Sequence, residues 1–338
     1  MVARTRPRLL GIRPALVVVL AASLLVLAAG PAGAAPDELR GRRPLYYLAL
    51  GDSLSRGVQP NAAGQNHPTD QGYADDLAKV GRLVLPQLQL VMLGCETEET
   101  TASMISGGRC TYANGPAPNG AQLAEAKAFL QAHRGSTVLV TLDIGANDLS
   151  RCINRATGAI DLTCVRTTFE QAPANLATIL DQLRAAAGPH VPIIGMNYPN
   201  PFLAAWLQGP AGQTLARLST DLVVQYNDAL EGVYQAAGIP VADVQDAFST
   251  TNFDTLVTLP GFGEVPVNVA RVCQWTWMCV PPPMGPNVHG RPEGYWVMAG
   301  AFLIALAQAH DPRGNQLTGR SAVLLAAGHP LRDQASPR

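Results

Sequence analysis

Charged residues are scarce in this sequence of 338 residues: they make up 14% of the chain, and the formal net charge is −1. Because there is no excess of positive charge, the composition gives no reason to expect a nucleic-acid partner. The sequence also lacks C-x-x-C pairs and clusters of cysteine with histidine, so we expect no metal site. It has no internal repeat or low-complexity tract. The hydrophobic content of 47% is instead typical of a globular protein with a large core.

The longest apolar stretch, from Ala15 to Ala29, follows four arginines and precedes the small residues Ala32-Gly33-Ala34. Basic residues, an apolar segment and small residues in this order are typical of a secretory signal peptide, which we place at residues 1–34. A bilayer span needs about 20 apolar residues, so this stretch is short for a single-pass anchor, which is the alternative. We therefore expect a secreted, extracellular protein with no integral membrane span after signal cleavage.

The rest of the sequence is predicted to form one domain, residues 35–310, followed by a C-terminal tail, residues 311–338. Short apolar runs typical of buried strands alternate with segments whose apolar residues recur at helical spacing. The strand-like runs are Leu45–Leu50, Leu88–Leu93, Thr137–Leu142, Pro192–Met196 and Ile239–Val241. Strands that alternate with helices predict an α/β fold with a parallel sheet covered on both sides.

All six cysteines lie in the predicted mature part of the chain: Cys95, Cys110, Cys152, Cys164, Cys273 and Cys279. An oxidising compartment favours their pairing, although six cysteines allow many connectivities and the sequence does not select one. They form three couples of neighbours, each spanning a loop rich in glycine, asparagine or threonine. We therefore predict three local disulfides, 95–110, 152–164 and 273–279.

Ser53 follows the first strand-like run within the segment Gly51-Asp52-Ser53-Leu54-Ser55. The carboxyl ends of parallel strands are where open α/β sheets place their chemistry. A helix beginning there would offer free N–H groups to an oxyanion. Ser53 is therefore a candidate nucleophile, and a helix N-cap is the structural alternative.

Two later segments hold candidate partners for this serine. Gly145-Ala146-Asn147-Asp148 follows the third strand-like run, where the amide of Asn147 could donate to an oxyanion or belong only to a turn. His289 differs from the other histidines because it lies just before the final helical segment and can reach back over the sheet edge. A solvated loop histidine is the alternative interpretation.

Taken together, Gly51-Asp52-Ser53-Leu54, Gly145-Ala146-Asn147-Asp148 and the late His289 resemble the sequence blocks of the SGNH/GDSL hydrolase family. They resemble more narrowly its secreted, disulfide-bearing actinobacterial esterases and lipases. The resemblance implies a three-layer α/β/α sandwich of the flavodoxin-like kind, with a parallel sheet of about five strands. It also implies that Ser53 is the nucleophile, that Asn147 and the Ser53 N–H donate to the oxyanion, and that His289 is the general base and acid.

Two blocks depart from the family's pattern. The second, Leu93 to Thr101, has glutamate or threonine where the family has its oxyanion-hole glycine. Either a backbone N–H at that position persists or Gly94 supplies the donor. In the last block Pro286 stands in place of the aspartate three residues before the histidine. We therefore expect a backbone carbonyl, first that of Pro286, to orient His289, with the Asn287 side chain as a secondary partner.

The resemblance implies a serine esterase or lipase that acts on small-molecule or lipid esters through an acyl-enzyme. We expect the protein to be a monomer. This chemistry needs no metal and no organic cofactor. Two alternatives stay open at this point: an impaired protein of the same fold that binds lipid or glycan, and an acyltransferase.

Overall fold

The computed structural model describes residues 43–112, 120–153 and 160–309. The predicted signal peptide, residues 1–34, and the predicted tail, residues 311–338, lie outside the described residues.

The centre of the fold is a parallel sheet of five strands. In chain order these are β1 Leu45–Gly51, β2 Leu88–Met92, β3 Thr137–Asp143, β4 Ile193–Met196 and β5 Val241–Ala242. Their order in the sheet is β2-β1-β3-β4-β5, and Leu48 of β1 pairs with Val91 on one side and Val140 on the other. The carboxyl ends of β1 and β3 therefore lie side by side at one edge.

The strands are apolar on both faces because helices cover both faces. Leu48, Ala49 and Leu50 of β1 are all fully buried, although successive side chains on a strand point to opposite sides of the sheet. The predicted α/β fold with a covered parallel sheet is confirmed.

Nine α-helices lie in the described part of the chain: α1 Tyr73–Arg82, α2 Thr101–Ser106, α3 Gln122–Ala132, α4 Ala146–Ser150, α5 Leu162–Ala187, α6 Pro210–Ala236, α7 Val244–Ala247, α8 Val267–Trp275 and α9 Pro292–Gln308. Helices α1 and α9 pack together on one face, where the rings of Tyr73 and Phe302 stack with centroids 4.6 Å apart. Helix α5 packs with α3 and α6 on the opposite face. No helix in residues 43–112, 120–153 or 160–309 combines the length and apolarity that a bilayer crossing requires.

The first four predicted strands agree with the observed ones to within one residue at each end. The fifth was predicted at Ile239–Val241 and is found at Val241–Ala242. Pro240 has no N–H for the ladder, and only its carbonyl takes part, accepting from the Gly195 N–H at 2.9 Å.

The three predicted disulfides are confirmed. Cys95 is bonded to Cys110, Cys152 to Cys164 and Cys273 to Cys279, with Cα separations of 5.8, 5.4 and 4.9 Å. Each closes a short loop, and the first closes the loop that follows β2.

Candidate active site

The backbone at the end of β1 is fixed immediately before Ser53. Gly51 has a φ of 133°, which other residues rarely adopt, and a Cβ there would overlap the carbonyl oxygen of Asp143. The buried side chain of Gln122 accepts from the Gly51 N–H at 2.7 Å and donates to the Gly51 carbonyl at 2.8 Å. These contacts determine where the chain leaves the sheet and hence where Ser53 lies.

Ser53 itself lies in a turn and not at the start of a helix. Residues 53–57 form turns, Gly57 has a left-handed φ of 58°, and the next helix begins only at Tyr73. The expectation of a helix N-terminus behind Ser53 is therefore corrected. In the described part of the chain the backbone N–H of Ser53 has no hydrogen-bond acceptor, so it is available to a ligand.

His289 reaches Ser53 from a short strand just before α9. This strand, Asn287–Gly290, pairs antiparallel with Thr276–Trp277. The His289 side chain is 8% exposed, and its Nε2 lies 2.9 Å from Ser53 Oγ. The fold thus brings the two predicted catalytic side chains within hydrogen-bond distance.

Asn287 contacts the other nitrogen of the His289 ring. Its Oδ1 lies 2.6 Å from Nδ1 and also accepts from the His289 backbone N–H at 3.1 Å. The expectation that Pro286 is the first partner and Asn287 the second is therefore corrected. The reason is that residues two apart on a strand point to the same side, which sets the Asn287 side chain beside the ring.

This contact determines the tautomer of His289. Because a carbonyl oxygen only accepts hydrogen bonds, the Nδ1 that faces Asn287 Oδ1 carries the proton. Nε2 then presents a lone pair to the hydroxyl of Ser53, which donates across the distance of 2.9 Å.

Asn147 stands in the first turn of α4, after the end of β3. Its Nδ2 donates to Asp52 Oδ2 at 3.1 Å and to the Glu99 carbonyl at 2.9 Å. Both hydrogens of the amide therefore have acceptors. An oxyanion could take the place of the Glu99 carbonyl because a charged acceptor binds an N–H more strongly than a neutral one.

Gly94, the candidate donor of the second block, is engaged elsewhere. Its N–H donates to the Ala49 carbonyl at 3.2 Å, which extends the pairing of β1 and β2. A Cβ at Gly94 would overlap Ser55 Oγ. The lack of a side chain at Gly94 permits close packing under the first block, and its role as an oxyanion donor stays a prediction, since its N–H would have to leave the Ala49 carbonyl.

Two carboxyl groups are buried at the base of the site. Asp52 is 1% and Asp143 0% exposed. Asp143 Oδ2 accepts from the Ser55 N–H at 3.3 Å, and Asp143 Oδ1 accepts from the Tyr73 hydroxyl. Burial raises the pKa of Asp52 to about 6 and that of Asp143 well above its ordinary value. Since neighbouring buried carboxyls resist double ionisation, the pair holds a proton to a higher pH than two separate carboxyls would.

Asp148 connects the second sequence block, Leu93 to Thr101, to the first turn of α4, where Asn147 lies. Its carboxylate accepts from the Thr101 N–H at 2.8 Å and from the Thr101 hydroxyl at 2.7 Å. Glu99 lies just before this contact and is 2% exposed, and burial raises its pKa to about 7. Neither Asp148 nor Glu99 was predicted as a site residue, and the only signal in the sequence was the position of Asp148 next to Asn147.

The cluster of Cys95, Glu99 and Cys110 is not a metal site. Its potential ligand atoms lie within 4.8 Å of one another. The two sulfurs are bonded to each other in a disulfide, so they are not the thiolates that a metal binds.

Comparison with known proteins gives a family match over most of the chain. The sequence model of the GDSL-like lipase/acylhydrolase family matches residues 49–297. No curated protein matches the chain.

Several solved structures are similar to this chain. One is the lipase Lip_vut3 from a goat rumen metagenome, at 18% identity over 77% of this chain and 97% of that chain, with a TM-score of 0.46. Another is an extracellular lipase from Streptomyces rimosus, at 17% identity over 77% and 99%, with a TM-score of 0.49. A third is an acetyl xylan esterase from Geobacillus stearothermophilus, at 16% identity over 77% and 94%, with a TM-score of 0.43.

Proposed function

The chain belongs to the GDSL-like lipase/acylhydrolase family, and from that premise we propose that it hydrolyses carboxylic esters through an acyl-enzyme on Ser53. One observation carries the proposal: Ser53 Oγ lies 2.9 Å from His289 Nε2, while Nδ1 of the same ring lies 2.6 Å from an oxygen. A hydroxyl beside the unprotonated nitrogen of an oriented imidazole is the arrangement of an activated nucleophile.

The proposed reaction begins when His289 Nε2 takes the Ser53 proton as Ser53 Oγ attacks the ester carbonyl. The resulting imidazolium is held by Asn287 Oδ1, a neutral acceptor, and it returns the proton to the leaving alkoxide. Water, deprotonated by His289 in turn, then attacks the acyl-enzyme, and His289 returns that proton to Ser53 Oγ as the acid is released. The residues supply every proton transfer, so the mechanism requires no metal or organic cofactor.

The oxyanion of the tetrahedral intermediate is stabilised by two donors in this proposal. The Ser53 N–H is available to it. Asn147 Nδ2 exchanges its bond to the Glu99 carbonyl for one to the oxyanion while keeping its bond to Asp52. Preorganised donors of this kind account for a large part of catalysis in acyl transfer.

We extend the proposal to the cellular setting. Residues 1–34 act as a signal peptide, the domain of residues 35–310 is exported, and the mature protein is an extracellular monomer acting on small-molecule or lipid esters. The three disulfides support export because such bonds persist mainly in oxidising compartments.

The test is a panel of p-nitrophenyl esters from acetate to palmitate, assayed on the wild-type protein, Ser53→Ala and His289→Ala. We expect each variant to lose turnover by several orders of magnitude. His133→Ala is the matched control, since His133 packs against Tyr46 and Phe129 at the opposite edge of the sheet. Turnover by Ser53→Ala equal to that of the wild type would exclude the mechanism.

The same panel separates the alternatives. A lipid- or glycan-binding protein would bind the esters without turning them over. An acyltransferase would form the acyl-enzyme and release it faster when an alcohol or sugar acceptor is added.

A further inference from the structure

We propose that Asn66 is a positioning residue for the reaction: it holds the amide of Asn287 with its oxygen toward His289 and thereby sets the tautomer of the catalytic imidazole. This inference rests on the proposed hydrolase function and deepens it. The observation that supports it is the hydrogen bond that Asn287 Nδ2 donates to Asn66 Oδ1 at 2.7 Å.

Asn66 comes from a small hairpin that packs against the loop before His289. Its two short strands, Gln59–Pro60 and Asn66–His67, pair antiparallel. The turn between them is held by Asn61, whose Oδ1 accepts from the Gln65 N–H at 3.0 Å. A Cβ at Gly64 would overlap the carbonyl oxygen of Pro283. The hairpin backbone is therefore in direct contact with the segment that leads to Asn287.

The two ends of the Asn287 amide face partners of opposite character. The oxygen faces two N–H groups of His289, those of the backbone and of Nδ1. The NH2 group faces the Asn66 oxygen, which is an acceptor. A flipped amide would set its NH2 group against the backbone N–H of His289 and, unless Asn66 turned as well, its oxygen against the Asn66 oxygen.

The orientation matters for catalysis because the ring can carry its proton on either nitrogen. With the amide flipped, its NH2 group would donate to Nδ1, and the proton would move to Nε2. Nε2 would then be unable to accept the Ser53 proton, although the distance between them need not change. Asn66 therefore acts on the reaction through Asn287 without contact with the substrate.

A series at position 66 tests this by changing the hydrogen-bonding character of the side chain. Asn66→Asp keeps an acceptor, Asn66→Ala removes it, and Asn66→Lys replaces it with a donor. We expect Asn66→Asp to keep nearly full kcat and Asn66→Ala to lose about fivefold in kcat with little change in KM. Asn66→Lys should lose more than Asn66→Ala. His67→Ala, an exposed neighbour on the same hairpin, is the control and should match the wild type.

A second readout does not depend on turnover. In protein labelled with 15N-histidine, long-range 1H–15N correlation spectra report which ring nitrogen of His289 is protonated. We expect the Nδ1–H tautomer in the wild type and Asn66→Asp, and a shift toward Nε2–H in Asn66→Lys. The same tautomer in all variants, or equal kcat in Asn66→Asp and Asn66→Lys, would overturn the inference. Failure of the proposed function would be distinct: the wild type would not turn over esters even though the tautomer pattern was found.

Discussion

Raising the pH from about 5 to about 8 should destabilise this protein, because its buried carboxyl groups favour the protonated form. Glu99 is 2% exposed, and burial raises its pKa from 4.5 to about 7, with Asp52 and Asp148 adding to the effect and Arg109 opposing it. A folded-state pKa above the unfolded value means that the native state holds the proton more tightly. The resulting stability is present at low pH and is lost as the pH rises through about 7.

The size of the effect follows from the same values. For Glu99 the difference between 4.5 and about 7 corresponds to about 3 kcal/mol of unfolding free energy. For Asp52, whose pKa rises from 3.8 to about 6, the part of the difference that lies above pH 5 corresponds to about 1 kcal/mol more. Both are upper bounds, since water reaching the site in the native state reduces the penalty, and we expect a total fall of about 2–4 kcal/mol.

The assay is urea unfolding at several pH values, followed by tryptophan fluorescence. Glu99→Gln should be more stable than the wild type at pH 8 and show a smaller fall with pH. Glu264→Gln is the control and should follow the wild type, since Glu264 is an exposed residue of the hairpin formed by Leu256–Leu259 and Gly263–Pro266. Stability that is flat or rises between pH 5 and 8, or no gain in Glu99→Gln over Glu264→Gln, would refute the reasoning.

Three further predictions concern the site and its loops. Asn147→Ala should lower kcat by about 100-fold with little change in KM, as for loss of an oxyanion donor; steady-state kinetics check this, and a loss of thermal stability alone would contradict it. Asn287→Asp should move the acidic limb of the kcat/KM profile to higher pH, because a carboxylate facing Nδ1 favours imidazolium; an unchanged limb would count against the contact. Reduction of the disulfides should lower the melting temperature, each bond contributing about 2–4 kcal/mol, and scanning fluorimetry with and without reductant would detect it.

The sequence was sufficient for the fold and for bringing Ser53 and Asn147 to one edge of the sheet, whereas His289 became a candidate base through the family resemblance. The reason is that a buried parallel strand has a simple sequence pattern, an apolar run such as Thr137–Leu142 that must be covered on both faces. Because the strands are parallel, their carboxyl ends lie at the same edge of the sheet. The cysteine pairs could be predicted because each couple is local.

The finer structure of the site could not be predicted because it depends on contacts between distant segments. Asn66 and Asn287 are 221 residues apart in sequence, and only Asn287, by its place close to His289, was a candidate. Asn287, and not Pro286, contacts His289 because Asn287 and His289 lie on the same strand, which is only four residues long. The Gly94 N–H bonds to the Ala49 carbonyl because the pairing of β1 with β2 extends past the end of β2. The apolar runs in the sequence do not indicate how far that pairing extends.

The most direct test of the account is covalent labelling with a fluorophosphonate, followed by peptide mass spectrometry. We expect one adduct, on the peptide that contains Ser53 and at Ser53 Oγ, with labelling slowed strongly in His289→Ala because the base is gone. Fragmentation distinguishes Ser53 from Ser55, whose buried hydroxyl donates to the Asp52 carbonyl at 2.7 Å. An adduct on Ser55, or no adduct in a folded wild-type protein, would contradict the central claim that Ser53 is the nucleophile.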